Sequence, residues 1–310
     1  MQAESFGSII EQAAFGLNRN FKIQRMTDSF ISPESMPDAK ANANTSANTR
    51  TNTGAYTGAA SVTSLLSEHA AVPRCWALIP CAGVGLRAIA ADALAPELPK
   101  QYQSVAGQPM VMHTLAAMLQ VERMHKVLVV TSPADHFWQG RELESRLTVA
   151  PHGGATRAET VTNGLQELLR MGASPEDWAL VHDAARCLVT AAQVNALMNA
   201  CLPDAVGGLL ALKLPDTLKQ QSSDQGSARV AQTVDRSDKW LAQTPQMFRI
   251  GALLSALKAA GDAVTDEASA MEFAGHAPLL VPGGAQNFKV TYPDDFALAE
   301  AVLMQRRSAR

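Results

Sequence analysis

Two cations, Arg87 and Lys100, follow a run of mostly small residues, Cys81-Ala82-Gly83-Val84-Gly85, which itself follows the short apolar stretch 75–80. Small residues let a backbone turn sharply and approach a ligand, and such a turn aims several N–H groups outward as an anion nest. Arg87 and Lys100 add two full positive charges with reach, and Pro99 places the lysine on a held loop, so a polyphosphate is the natural guest. The run lacks the third glycine of a dinucleotide fingerprint and the Gly-Lys-Ser/Thr ending of a P-loop. Taken alone it reads either as a phosphate nest or as a plain strand-to-helix turn.

Val181-His182-Asp183-Ala184-Ala185-Arg186 ends another apolar run. An aspartate there can hold Mg²⁺ or a ribose, since Mg²⁺ keeps most of its waters and takes few carboxylates; equally, it can cap a following helix. Gly153-Gly154-Ala155-Thr156-Arg157 opens a helix-patterned stretch, so its N–H groups are placed to contact a base or phosphate. Arg236 in TVDRS and Lys289 in NFKVTYPDD are candidates for a second anion, or simply surface charges.

The elements that must carry these residues follow from patterning. Lys126 to Ser132, Asp177 to His182 and Gly207 to Lys213 are Val- and Leu-rich runs suited to strands buried on both faces. Helical spacing recurs from Pro109 to Val121, Arg157 to Met171, Ala191 to Leu202 and Arg249 to Ala260, and a final helix starts near Pro293 with Phe296, Ala299, Val302 and Leu303 as a core stripe. Alternation of strand and helix predicts right-handed crossovers and a mainly parallel sheet with helices on both sides, binding its ligand beyond the carboxyl ends of the strands. The polar segment 215–237 breaks this rhythm. Extended stretches around Thr217 to Lys219 and Arg229 to Val234 read as a hairpin, either solvated or projecting to a partner subunit.

The chain has 310 residues, 47% of them hydrophobic, with a net charge of −3. That is ample for a buried core and argues against a nucleic-acid or membrane-surface binder, which would carry a basic stripe. Cys75, Cys81, Cys187 and Cys201 have neither C-x-x-C spacing nor paired histidines, so they read as reduced thiols of a cytoplasmic protein. No apolar stretch approaches the roughly 20 residues of a spanning helix. Residues 1–72 stand apart: the run DAKANANTSANTRTNTGAYTGAA predicts a disordered extension, with organellar targeting as the lesser alternative, ahead of a domain at 73–310.

PCAGVGLR with PKQY, GGATRAETVTNGL, VHDAAR, PDTLK, TVDR, QTPQMF, TDEASAME and NFKVTYPDD occur in an order and approximate spacing that resembles the 2-C-methyl-D-erythritol 4-phosphate cytidylyltransferase family, over about residues 74 to 307. The resemblance implies a Rossmann-like nucleotidyltransferase (GT-A-like) α/β domain and a homodimer joined by the arm. It also implies Mg²⁺-dependent transfer of CMP from CTP to methylerythritol phosphate. It would give Arg87 and Lys100 the α-phosphorus and leaving group, and place Asp183, with Ala184 and Arg186 of the same motif, by the ribose and metal. Ala82, Gly83, Gly85, Gly153 and Gly154 would lie against CTP, with Thr160 where the family usually has serine, and Thr217, Arg236 and Lys289 would hold the acceptor phosphate. Ribitol 5-phosphate is the alternative acceptor, and a catalytically silent nucleotide-binding protein the alternative class. The segment between Arg87 and Lys100 is longer than the usual family form.

Overall fold

A computed structural model of the chain describes residues 72–83, 98–222 and 226–309. The predicted N-terminal extension, except Val72, lies outside the described residues, as do Gly85, Arg87 and most of the segment that leads to Lys100. In chain order the strands and helices are β1 (Cys75–Pro80), β2 (Ser104–Val105), β3 (Gln108–Pro109), α1 (Met110–Leu119), β4 (Met124–Val130), β5 (Leu147–Ala150), α2 (Arg157–Arg170), β6 (Trp178–Val181) and α3 (Ala191–Cys201). They continue as β7 (Gly207–Lys213), β8 (Leu218–Gln221), β9 (Val230–Val234), β10 (Trp240–Arg249), α4 (Ile250–Ala260), α5 (Glu267–Phe273), β11 (Leu279–Pro282) and α6 (Pro293–Ser308).

Seven strands form one sheet in the order β11-β7-β10-β6-β1-β4-β5. Only β10 runs antiparallel to its neighbours, β6 and β7; the other adjacent pairs are parallel. Because side chains of a strand alternate between faces, β1 feeds two cores. Cys75, Ala77 and Ile79 pack with Val111 and Leu115 of α1 and Val194 and Leu197 of α3 on one face. Trp76 and Leu78 pack with Val161 and Leu165 of α2, Leu253 of α4 and Met271 of α5 on the other. Helices therefore cover both faces, which is why the central strands read as unbroken apolar runs rather than alternating ones.

The α6 stripe behaves as expected: Ala299 is buried, and Phe296, Val302 and Leu303 pack against Val105, Met110 and Leu188. Three strands of the seven-stranded sheet were not visible in the patterning, namely β5, β10 and β11, and neither were the two-residue strands β2 and β3. In β10 the obstacle is Pro245, which has no N–H for a ladder and argues against a central strand. The structure accommodates it by a register shift between Ala242 and Gln246, around a cis Thr244–Pro245 bond. At the end of β6 the Thr244 hydroxyl accepts a hydrogen bond from the Asp183 N–H at 3.1 Å.

The segment after β7 forms the predicted hairpin. β8 and β9 pair antiparallel, Leu218 with Val234 and Lys219 with Thr233, as a separate two-stranded sheet. Its base is closed by the Leu214 N–H donating to the Lys239 carbonyl at 3.0 Å.

Candidate active site

The carboxyl ends of β1 and β6 and the N-terminus of α2 converge on one cleft, lined by Ala82, Gly83, Lys100, Gly154, Thr160, Asp183, Ala184 and Lys289 among others. Its volume, ≈ 290 Å³, is at the small end of ligand sites. Eight residues singled out from the sequence thus line one space.

The floor is built from close backbone approach. Gly153 N–H donates to the Thr131 carbonyl at 2.8 Å. A Cβ at Gly153 would fall 2.3 Å from the Ala82 Cβ and 2.8 Å from the Thr131 oxygen, so only glycine lets the two loops touch. The turn that follows is fixed by side chains of α2. Thr160 Oγ1 accepts from Gly154 N–H at 3.1 Å and donates to the Thr156 carbonyl at 2.9 Å. Ala155 N–H donates to Glu159 Oε2 at 2.7 Å, and Thr156 caps the helix by accepting from Glu159 N–H. In this structure the Thr160 hydroxyl serves the turn itself.

Asp183 is the charge centre. It is 8% exposed, and its carboxylate meets Arg157 Nε at 3.1 Å, Lys289 Nζ at 2.9 Å and Arg186 Nε at 3.9 Å. Burial would raise the carboxyl pKa; Arg157, Lys289 and Arg186 outweigh it and hold Asp183 well below the usual carboxylate range. The helix-capping alternative for Asp183 does not hold, because the residues after it form a turn and α3 is capped by Thr190. Arg157 and Glu267 were not singled out from the sequence. Arg157 Nη1 and Nη2 donate to the two oxygens of Glu267 at 2.6 and 3.1 Å, and Glu267 has no exposed surface. A signal existed: Arg157 is the first residue of α2, where a cation opposes the helix dipole and so calls for a nearby acid.

Lys100 begins a 3₁₀ turn, Lys100–Tyr102, and its Nζ donates to the Val290 carbonyl at 2.6 Å. The Val290 N–H in turn donates to Ala185 O at 2.9 Å, so the strand-end turn, Lys100 and the Lys289 segment are knitted together. Arg186 stands behind the cleft rather than in its lining, donating to the Asn287 carbonyl at 2.7 Å and the Ala242 carbonyl at 3.2 Å. Thr217 and Arg236 are exposed, at the two feet of the hairpin, and do not line the cleft. Gly85 and Arg87 lie outside the described residues. His182 is fully buried; burial depresses its pKa to about 4, and its ring bonds to Thr244 and to the Arg186 carbonyl. It is a structural group rather than a general base.

The family model for 2-C-methyl-D-erythritol 4-phosphate cytidylyltransferase, IspD, matches residues 75–305. The chain belongs to this family. It is 48% identical over 240 residues to the 2-C-methyl-D-erythritol 4-phosphate cytidylyltransferase of Paraburkholderia phytofirmans, covering 76% of this chain and 98% of that one. It is 58% identical over 250 residues to the bifunctional enzyme IspD/IspF of Albidiferax ferrireducens, covering 80% of this chain but only 57% of that protein. Among solved structures it resembles a 4-diphosphocytidyl-2C-methyl-D-erythritol synthase with a TM-score of 0.62 and 38% identity, over 74% of this chain and 98% of the other. The Francisella tularensis IspD superposes with a TM-score of 0.61 at 30% identity, over 74% and 99% of the two chains. The nucleotidyltransferase fold expected from the motifs is therefore the fold observed. As a member of this family the chain is a cytidylyltransferase of isoprenoid biosynthesis.

Proposed function

We propose that the Asp183 cleft transfers CMP from CTP to 2-C-methyl-D-erythritol 4-phosphate, releasing pyrophosphate, and that a second copy of the chain completes it. The observation that carries this reading is the meeting of Lys100, Lys289 and the Gly153–Ala155 turn around Asp183, on the strand ends of a chain matching the family along 75–305. An acceptor phosphate is already a nucleophile at neutral pH, so the protein must align two anions and neutralise the charge between them. The cleft suits that task. Cations line it, and His182 nearby is bonded at both ring nitrogens.

In this reading the Gly153–Ala155 turn and the Ala82–Gly83 backbone receive the cytosine, and Asp183 lies by the ribose. Lys100 and Arg87 neutralise the triphosphate, and Lys289 takes the acceptor phosphate. Thr217 and Arg236 belong to the same acceptor pocket but stand on the arm, outside the cleft of their own chain. A homodimer in which each arm reaches the other chain's cleft resolves that separation.

Mg²⁺ fits as an ion carried by the nucleotide. Among the described residues there is no group of three or more His, Cys, Asp or Glu placed to hold a metal. Asp183 is a lone carboxylate already bonded to Arg157 and Lys289. Such a donor set suits an ion held by triphosphate oxygens and water, with Asp183 beside it, and when bound that ion supplies charge neutralisation of the phosphates. Among the described residues no helix is long and apolar enough to cross a membrane. All four cysteines are free and buried, as the reduced thiols of a cytoplasmic protein would be. The family match to residues 75–305 supports a catalytic domain at 73–310.

Pyrophosphate release with CTP and Mg²⁺ tests the reading against methylerythritol phosphate and ribitol 5-phosphate. Release with the first alone is expected; release with ribitol phosphate alone, or with neither, overturns it. Lys100→Ala should keep the fold and lower kcat by about 10²-fold or more, the scale of a lost transition-state charge partner.

A further inference from the structure

His182 lies between the end of β6 and the irregular stretch of β10, with no surface open to solvent. Its Nε2 is 3.2 Å from the Arg186 carbonyl oxygen, and a carbonyl only accepts, so Nε2 carries the ring proton. Neither ring nitrogen bonds a carboxylate, and a buried imidazole without such a partner is neutral. Nδ1 is then bare, and at 3.0 Å it accepts the Thr244 hydroxyl proton. That assignment fixes the direction of the next bond: Thr244 Oγ1, its proton committed to His182, presents a lone pair to the Asp183 N–H at 3.1 Å.

We propose that His182 is a positioning residue for cytidylyl transfer, acting through Thr244: the neutral imidazole orients the Thr244 hydroxyl, and that hydroxyl fixes the Asp183 backbone at the strand end. The relay explains why the irregular stretch of β10 is placed here. Without it, the Asp183 amide would be a buried donor with no acceptor, and the turn from Asp183 to Arg186 would be free to shift against β10. The other end of the ring holds the same turn by its last residue, Arg186. The inference rests on the reading of the Asp183 cleft given above.

Two substitutions separate the two ends of the ring. His182→Asn can place an amide oxygen where Nδ1 stands and keep the Thr244 bond, whereas His182→Gln can reach the Arg186 carbonyl but offers Thr244 nothing. The Asn variant should keep kcat within about threefold of wild type and the Gln variant should lose about tenfold, the scale of one buried hydrogen bond, with both KM values changed little. Both remove a buried ring, so comparable falls in Tm are the control for packing. In a Thr244→Val background His182→Gln should cost nothing further. Equal kcat losses in the two variants, an unimpaired Gln variant, or full additivity with Thr244→Val would each overturn the proposal. A long-range ¹H–¹⁵N spectrum of the intact chain checks it without turnover: Nδ1 should be unprotonated, and a protonated Nδ1 would refute the relay. If the wild-type chain shows no transfer at all, the functional reading falls by itself, while the ring tautomer still decides the relay.

Discussion

Asp183 and Glu267 are buried and share Arg157, with Lys289 closing on Asp183 from another segment, so the cleft is a network in which each charge is located by a second. The β8–β9 arm is the opposite case. It is mostly exposed, and its side chains bond chiefly across their own ladder, as from Lys219 Nζ to Thr233 Oγ1 at 2.7 Å and from Gln232 Nε2 to Gln220 Oε1 at 2.6 Å. An isolated two-stranded hairpin is marginal in water. The contrast is between a cleft preorganised by its own chain and an arm that, in the proposed homodimer, serves the cleft of the other chain. Changes in the cleft should therefore cost stability and activity together, and changes in the arm activity alone.

The largest effect tests the cleft half of that contrast. Glu267→Ala should destabilise the fold by about 4 kcal/mol in urea unfolding, because it removes the carboxylate that pairs both Nη1 and Nη2 of Arg157 in a partly dry site. A loss below about 1 kcal/mol, the worth of an exposed pair, would show the network to be solvated instead.

A somewhat smaller effect appears on acidification. The unfolded His182 binds a proton near 6.5, whereas burial keeps the folded ring neutral down to about 4. Between those values the unfolded chain holds more protons, so stability falls as pH drops from 6.5 toward 4, by about 3 kcal/mol. Asp183, held below its ordinary 3.8, adds a further loss beneath that value. His182→Gln should flatten the upper part of this curve, and an unchanged curve would show that other groups cause it.

The fold was legible where one physical rule acted alone. Gly207–Lys213 matches its strand residue for residue, because an apolar run with no competing signal has one solution. β10 was hidden by Pro245, and β5 and β11 are the short edge strands of the sheet, only partly buried, unlike the equally short but fully buried β6. Within the site, Asp183, Lys100 and Lys289 were legible as charges at turns. Arg157 and Glu267 were not, because they lie 110 residues apart and only tertiary packing makes them partners. The sequence showed where the two glycines of the floor lie but not that Gly153 must touch Ala82.

The smallest expected effect belongs to the arm. Arg236→Ala should leave unfolding within about 0.5 kcal/mol of wild type, as for exposed substitutions generally, while raising KM for the acceptor. A matching loss of stability would place Arg236 in its own chain's packing and blur the division between the two regions.

The central claim, that one chain's cleft is completed by another's arm, is tested most directly by mixing. Lys289→Ala removes a cleft residue and Arg236→Ala an arm residue, so each homodimer has two damaged sites. After subunit exchange, a mixed dimer has one site with both changes and one with neither. An equal mixture should then recover about a quarter of wild-type pyrophosphate release, since about half the dimers are mixed and each holds one intact site of two. Activity no higher than the mean of the two parents, with exchange confirmed by mass, would contradict it.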